Sequence, residues 1–248
     1  MRLFFHELAA QQRVFWRSRE AALFVFLFPL LLFALLGSVY NGKIDGVPAP
    51  QALLAGLIGY GCANTAFAGL AIQLVGRREL GILKRLRATP LRTSTYIAAT
   101  LASTFVVFAI QTVCLLVLGR LAYSTPFPHA VGSFAVSIVI GAAVFSALGV
   151  AAASVIRSAE GSSAVVNFIL LPMAFLTGSF GPTRRYPQFL RAIGDVLPLK
   201  YFLKVVDAVY LHGRGIWTQP AALGILAAWG ATGLLVAALK FRWEPREQ

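Results

Sequence analysis

The chain has 248 residues, 58% of them hydrophobic and only 12% charged, with a mean hydropathy of +0.75 and a formal net charge of +13. Soluble domains carry roughly 25% charged residues; half that share leaves too few charges to coat a water-facing surface, which excludes a soluble globular domain. The basic excess needs no nucleic-acid partner, because Lys and Arg collect in cytoplasmic loops of membrane proteins and no basic face with interleaved aromatics lies outside the membrane flanks.

Residues 1–20 hold four arginines and two glutamates among aromatics. Phe4, Leu8 and Phe15 fall near one helical face with Trp16 beside them, a pattern suited to a helix in the headgroup region, although Gln11 and Gln12 interrupt it. A first span is predicted over about 21–40, with Pro29 as a kink whose freed backbone group neighbouring helices can satisfy. It ends without a small-x-small cleavage pattern and reads as a retained span rather than a signal peptide. After the turn-rich NGKIDGVPAP loop, the second span covers about 51–75. The third covers about 93–118, the fourth 131–155, the fifth 162–180 and the last 216–239. Thr93–Gly119 and Leu121–Ile156 contain no Asp, Glu, Lys or Arg, and about 20 apolar residues suffice to cross a bilayer core. The fold class expected is all-α, polytopic, with six transmembrane helices.

With six spans, the side holding both termini carries fourteen Lys and Arg and the opposite side eight. That places the N- and C-termini in the cytoplasm of a cell membrane. Residues 181–215 are too charged to span and too apolar for an ordinary loop. Phe189, Ile193 and Val196 can share one face, as can Phe202, Val205 and Val209, so one or two short amphipathic helices are expected there, dipping into the outer leaflet or capping the bundle.

A phosphate loop, HExxH and GxSxG are all missing from the sequence. Cys62 and Cys114 lie inside spans, and His6, His129 and His212 are scattered, so no metal site is expected. The polar residues within spans are neutral, including Asn64, Gln73, Gln111 and Asn167. Proton-coupled carriers retain costly ionisable groups there, so the energy source is expected outside the spans. A gradient-driven carrier or channel, and an assembly protein without transport, remain the alternatives.

The segment 76–92, GRRELGILKRLRATPLR, holds six basic residues and one acid. Leu80, Leu83 and Leu86 recur at three-residue spacing beside Ile82, charges occupy the other faces, and Pro90 closes the segment. This describes a short amphipathic helix able to dock on a soluble partner or merely to anchor topology. RELGILKRLRATPL resembles the cytoplasmic coupling segment of ATP-binding cassette (ABC) type-2 permeases, the group containing bacterial drug, antibiotic and polysaccharide exporters. LPMAFLTGSFGPTRRYPQFLRAIGDVLPLKYFLKVVDAVY resembles that family's fifth span and following external segment. One departure is Gly181 before Pro182, where many relatives carry an aromatic.

The resemblance implies a separate ABC ATPase subunit that binds ATP and magnesium, and a second permease chain completing a homodimer or heterodimer. It implies that Arg78, Glu79, Leu80, Gly81, Leu83, Lys84, Arg85, Leu86 and Arg87 transmit ATPase closure, with Arg157, Glu160 and Gly161 as a second contact. It further implies that Pro182, Tyr186, Pro187 and Pro198 belong to an external gate. Asn64, Asn167, Phe168, Met173, Phe175 and Thr177 are candidate pathway residues for a hydrophobic drug or lipid-like molecule, although any single aromatic among them is better suited to lipid-facing or helix-packing contacts.

Overall fold

The computed structural model describes residues 2–40, 42–88 and 91–241. Pro90 and most of the basic tail lie outside them. The described chain is helical almost throughout, with six helices long and apolar enough to cross a membrane.

Helix α1 (Arg2–Arg17) is followed by α2 (Arg19–Val39), and the turn-rich loop forms a two-residue hairpin, β1 (Lys43–Ile44) against β2 (Val47–Pro48). The second span, α3, runs unbroken from Ala49 to Glu79 with a π-helical stretch at Ala63–Gly69. A short α4 (Ile82–Arg87) precedes α5 (Thr93–Tyr123), α6 (Val131–Val155) and α7 (Ala159–Thr177). Segment 181–215 contains α8 (Gln188–Val196) and α9 (Pro198–Tyr210), and α10 (Pro220–Lys240) closes the bundle. Pro198 and Pro220 each stand in the first turn of their helix, where the missing N–H would be unpaired anyway.

The second, third, fifth and last spans differ from the hydropathy reading, the fifth lying at Ala159–Thr177 rather than 162–180. The second span continues past Val75 to Glu79, and the third past Leu118 to Tyr123, because both add charged turns that hydropathy counts as loop. The last helix starts at Pro220, after a 3-10 turn at Ile216–Thr218.

Helix α3 is the axis of the molecule, with α2, α5, α6 and α9 packed around it. Its window is 94% buried, whereas those of α2, α7 and α10 are 28% or less and present apolar outer faces. Pro29 in α2 lacks the N–H that would bond Val25 O. That carbonyl is instead taken by Gln111 Nε2 of α5 at 2.8 Å, and Gln111 Oε1 accepts from Thr65 Oγ1 in the π-helical stretch at 3.1 Å. One buried amide thus repairs the proline site and ties three spans together.

The glutamines that interrupt the α1 stripe dock that helix. Gln12 Nε2 donates to both Ser103 O and Ser103 Oγ of α5 at 2.9 Å, and Gln11 is buried. Trp16 stacks on Phe26 of α2, while Leu3, Phe5 and Val14 stay exposed.

The two helices of segment 181–215 behave differently. Phe189, Ile193 and Val196 of α8 are exposed, whereas Phe202, Val205 and Val209 of α9 are buried. Helix α9 enters the bundle because two glycines leave room: Gly141 of α6 faces the Phe202 ring and Gly59 of α3 faces Leu203, each so closely that a Cβ would collide. Gly141 lies ten residues into α6, which puts Phe202 about 15 Å below the start of that helix at 1.5 Å per residue.

Candidate functional site

At the end of α3 that joins α4, Arg78 is 2% exposed. Its guanidinium donates to Ala153 O at 2.8 Å and Ile156 O at 2.5 Å, with a longer contact to Arg157 O at 3.5 Å. These carbonyls close the C-terminus of α6, where the last groups of a helix lack intrahelical partners and the helix dipole is negative. The adjacent Glu79 carboxylate accepts from Ala159 N at the opposite, electropositive end of the next helix, α7. Ser158 Oγ accepts from Gly161 N at 3.4 Å in the same first turn. Two consecutive residues of opposite charge therefore hold the two sides of one turn, each on the dipole end of opposite sign to its own. The 78–87 segment and the 157–161 turn, far apart in sequence, form one unit.

Arg77 secures the same end from another side. Its guanidinium donates to Tyr96 OH at 2.7 Å, at the start of α5, and Tyr96 is 3% exposed.

Gly81 then breaks the helix. Its φ of +67° lies in the left-handed region, which glycine adopts without the steric cost other residues bear. Past it, α4 is anchored by Leu83, which is fully buried. Leu80 is 70% exposed and Ile82 38%, and Lys84 and Arg85 are exposed too. This corrects the three-residue stripe: Leu80, Leu83 and Leu86 do not share a buried edge, because the left-handed turn changes the helical register between Leu80 and Leu83. Leu86 is half-buried, and the side chain of Arg87 lies outside the described residues. The result is a knob with exposed leucine, isoleucine, lysine and arginine. Arg157 and Glu160 are exposed beside the clamped turn and Gly161 is half-buried.

The candidate pathway residues do not meet in one place. Asn64 is buried in the π-helical stretch, and Met173 and Thr177 face inward, Thr177 Oγ1 donating to Met173 O at 2.8 Å. Asn167, Phe168 and Phe175 lie on the outer face of α7, with Phe168 81% exposed. Asn167 Nδ2 donates to Ser163 O one turn back at 2.8 Å, and Phe175 packs edge-on against Phe180.

Of the candidate gate residues, Pro182 is exposed, Tyr186 is half-buried with its N–H on Thr183 O, Pro187 caps α8, and Pro198 is buried at the start of α9. Pro182 also borders a cavity of about 250 Å³ between the β-hairpin, α3 and α9. Lys200, Lys204 and Asp207 of α9 face it, as do Asp45 and His212. Burial raises the Asp207 carboxyl from the usual carboxylate range to about 7, with the nearby Asp45 charge adding to the effect. Sequence reading placed these residues in an oddly charged loop but gave them no role; the i, i+4, i+7 spacing of Lys200, Lys204 and Asp207 was the available signal. Tyr96 carried no comparable signal. No group of three metal-ligating side chains occurs among the described residues.

The profile of the ABC-2 type transporter family matches residues 2–211. "Inner membrane transport permease YhhJ" of Escherichia coli (strain K12) is 25% identical over 182 residues, covering 70% of this chain and 48% of that protein. "Probable multidrug ABC transporter permease YbhR" of the same strain is 23% identical over 161 residues, 64% of this chain and 44% of that one. The chain thus spans about half the length of the curated relatives it matches. With a six-span helical fold and a family match over most of its length, this multi-pass membrane protein belongs to the ABC-2 type transporter family.

Proposed function

We propose that the chain is the permease subunit of an ATP-driven exporter, working with a separate ABC ATPase subunit that binds ATP and magnesium on the cytoplasmic side. The observation that supports this best is the Arg78–Glu79 clamp. It joins the exposed α4 knob to the turn between α6 and α7, so a force applied at Leu80, Ile82, Lys84 or Arg85 reaches three spans at once. A topology anchor would need the charges but neither the buried guanidinium nor exposed leucine and isoleucine. The excess of Lys and Arg on this side supports cytoplasmic termini.

A second permease chain is proposed to cover the outer face of α7. An exposed amide such as Asn167 is disfavoured against lipid by about 1–3 kcal/mol when incompletely paired, and Asn167 bonds only one turn back along its own helix. A facing chain or a polar pathway would relieve that cost. The exposed Phe168 and Phe175 beside it suit a hydrophobic drug, antibiotic or lipid-like cargo, and one relative is named a probable multidrug permease.

The test is a pull-down of the tagged chain from gently solubilised membranes, followed by ATPase and vesicle-transport assays. A phosphate-loop ATPase is expected to co-purify. Glu79→Lys and Arg85→Glu are expected to insert normally but to uncouple hydrolysis from transport. Normal transport by both variants sinks the coupling role, and transport in ATP-free vesicles by the chain alone replaces this reading with a gradient-driven carrier.

A further inference from the structure

The cavity beside the β-hairpin contains a carboxylate, Asp207, with no ion pair among the described residues, although Lys200 and Lys204 line the same space. Lys200 pairs with Asp195 at 3.3 Å, the Lys204 ammonium lies 4.9 Å over the Tyr201 ring, and Arg184 pairs with Asp45 at 2.8 Å. His212 meets the backbone carbonyl of Asp207 through Nδ1 at 3.1 Å. From α3 only Ala52, Leu53 and Gly56 face the space, and from the end of α7 only Thr177 and Gly178. Each ammonium and guanidinium thus has its own partner, and the Asp207 carboxylate has neither an ion pair nor a hydrogen bond among those described. Apolar Leu53 of α3, and Leu203 and Leu211 one turn either side of Asp207, line the same space.

We propose that this cavity is a binding site for an organic cation, with Asp207 receiving a protonated amine and the leucine wall receiving the adjoining hydrocarbon. About 250 Å³ equals the liquid volume of roughly eight waters, which suits an amine headgroup and a ring rather than a large molecule. An anion is the poorer fit, because both lysines are already engaged and two carboxylates border the same space. The burial that raises the carboxyl also couples binding to protons: an amine pairs with the ionised form and expels the acid proton where the free site still holds it. The site stands apart from the transport reading, since equilibrium binding needs no ATPase.

The experiment is calorimetric titration of benzylamine into the full chain in lipid nanodiscs at pH 7, in two buffers of different protonation enthalpy that are neither amines nor phosphates. Saturable binding is expected, with release of about half a proton per amine, as follows from a group titrating near pH 7. Asp207→Asn is expected to weaken binding at least about tenfold and to abolish the release. Asp45→Asn, an exposed change that leaves Asp207 in place, is expected to reduce the release by removing a neighbouring negative charge; this arm holds even if Asp207→Asn does not fold. Unchanged affinity in Asp207→Asn, or unchanged release in Asp45→Asn, overturns the assignment. Binding of inorganic phosphate that is lost in Lys204→Ala overturns it in favour of an anion site.

Discussion

Replacing Arg78 with Met keeps the apolar stem and removes the guanidinium, leaving Ala153 O and Ile156 O without their donors. Hydrogen bonds to a charged group contribute about 1.5–3 kcal/mol each, so the two short bonds set a ceiling of roughly 3–6 kcal/mol. Part of that is recovered because the turn borders exposed residues such as Arg157, where water can reach a carbonyl. A net loss of about 2–4 kcal/mol remains. At roughly 2–4 °C per kcal/mol for a chain of this size, the unfolding midpoint is expected to fall by about 4–16 °C in thermal scans of the purified chain in nanodiscs. Arg78→Lys should fall between the two, since one ammonium cannot span both carbonyls as a planar fork does. Glu79→Gln, at an exposed position, should stay close to wild type. A midpoint for Arg78→Met within about 2 °C of wild type refutes the clamp as a structural element.

Two further outcomes are expected. Gln111→Leu orphans Val25 O beside Pro29 and should cost about 1–2 kcal/mol; in a Pro29→Ala background, where residue 29 supplies its own N–H, the same change should cost distinctly less, and equal costs in a double-mutant cycle count against the repair. Asp207 is an acid whose folded value is raised, from 3.8 to about 7, so the folded state binds more protons and its stability declines as pH rises through that window, levelling above it. Asp207→Asn should flatten this part of the pH–stability profile, and an unaltered slope rules the residue out as its source.

The spans were legible because runs of about 20 apolar residues have few other uses. What hydropathy could not resolve was the fate of individual charges. Arg78 looked like one of six loop cations, yet it is the most buried of the charged residues described, because its partners are backbone carbonyls that any sequence supplies. Gln111 was visible only as a neutral polar residue; its partner is the carbonyl four residues before a proline on another helix, a pairing that no periodicity encodes. The Leu80–Leu83–Leu86 spacing misled because one left-handed glycine cancels a three-residue period. In 181–215 the two amphipathic patterns were correct as patterns, but the room that lets α9 go inside comes from glycines on α3 and α6, which the segment's own pattern does not encode.

The π-helical stretch at Ala63–Gly69 gives the geometry of α3 a further consequence. Arg78 reaches its carbonyls only if the lower half of α3 keeps its rotation about the helix axis. A π turn closes with i→i+5 bonds and so takes up one residue more than an α turn. Deleting one residue within it, for example Ala68, lets the stretch close as α-helix while Arg78 keeps its direction. Deleting Ala71 in the regular part below instead turns everything after it by about 100° and swings the guanidinium away from α6. The first deletion is expected to lose little beyond local packing and the second to lose the clamp as well, so that its midpoint falls further by at least the drop seen in Arg78→Met. Adding Arg78→Met on top discriminates between packing and clamp: it should still cost stability in the Ala68 deletion and cost nothing more in the Ala71 deletion. If both deletions respond alike to the arginine change, the π stretch does not set the register of α3, and the position of Arg78 must be fixed from the α6–α7 turn instead.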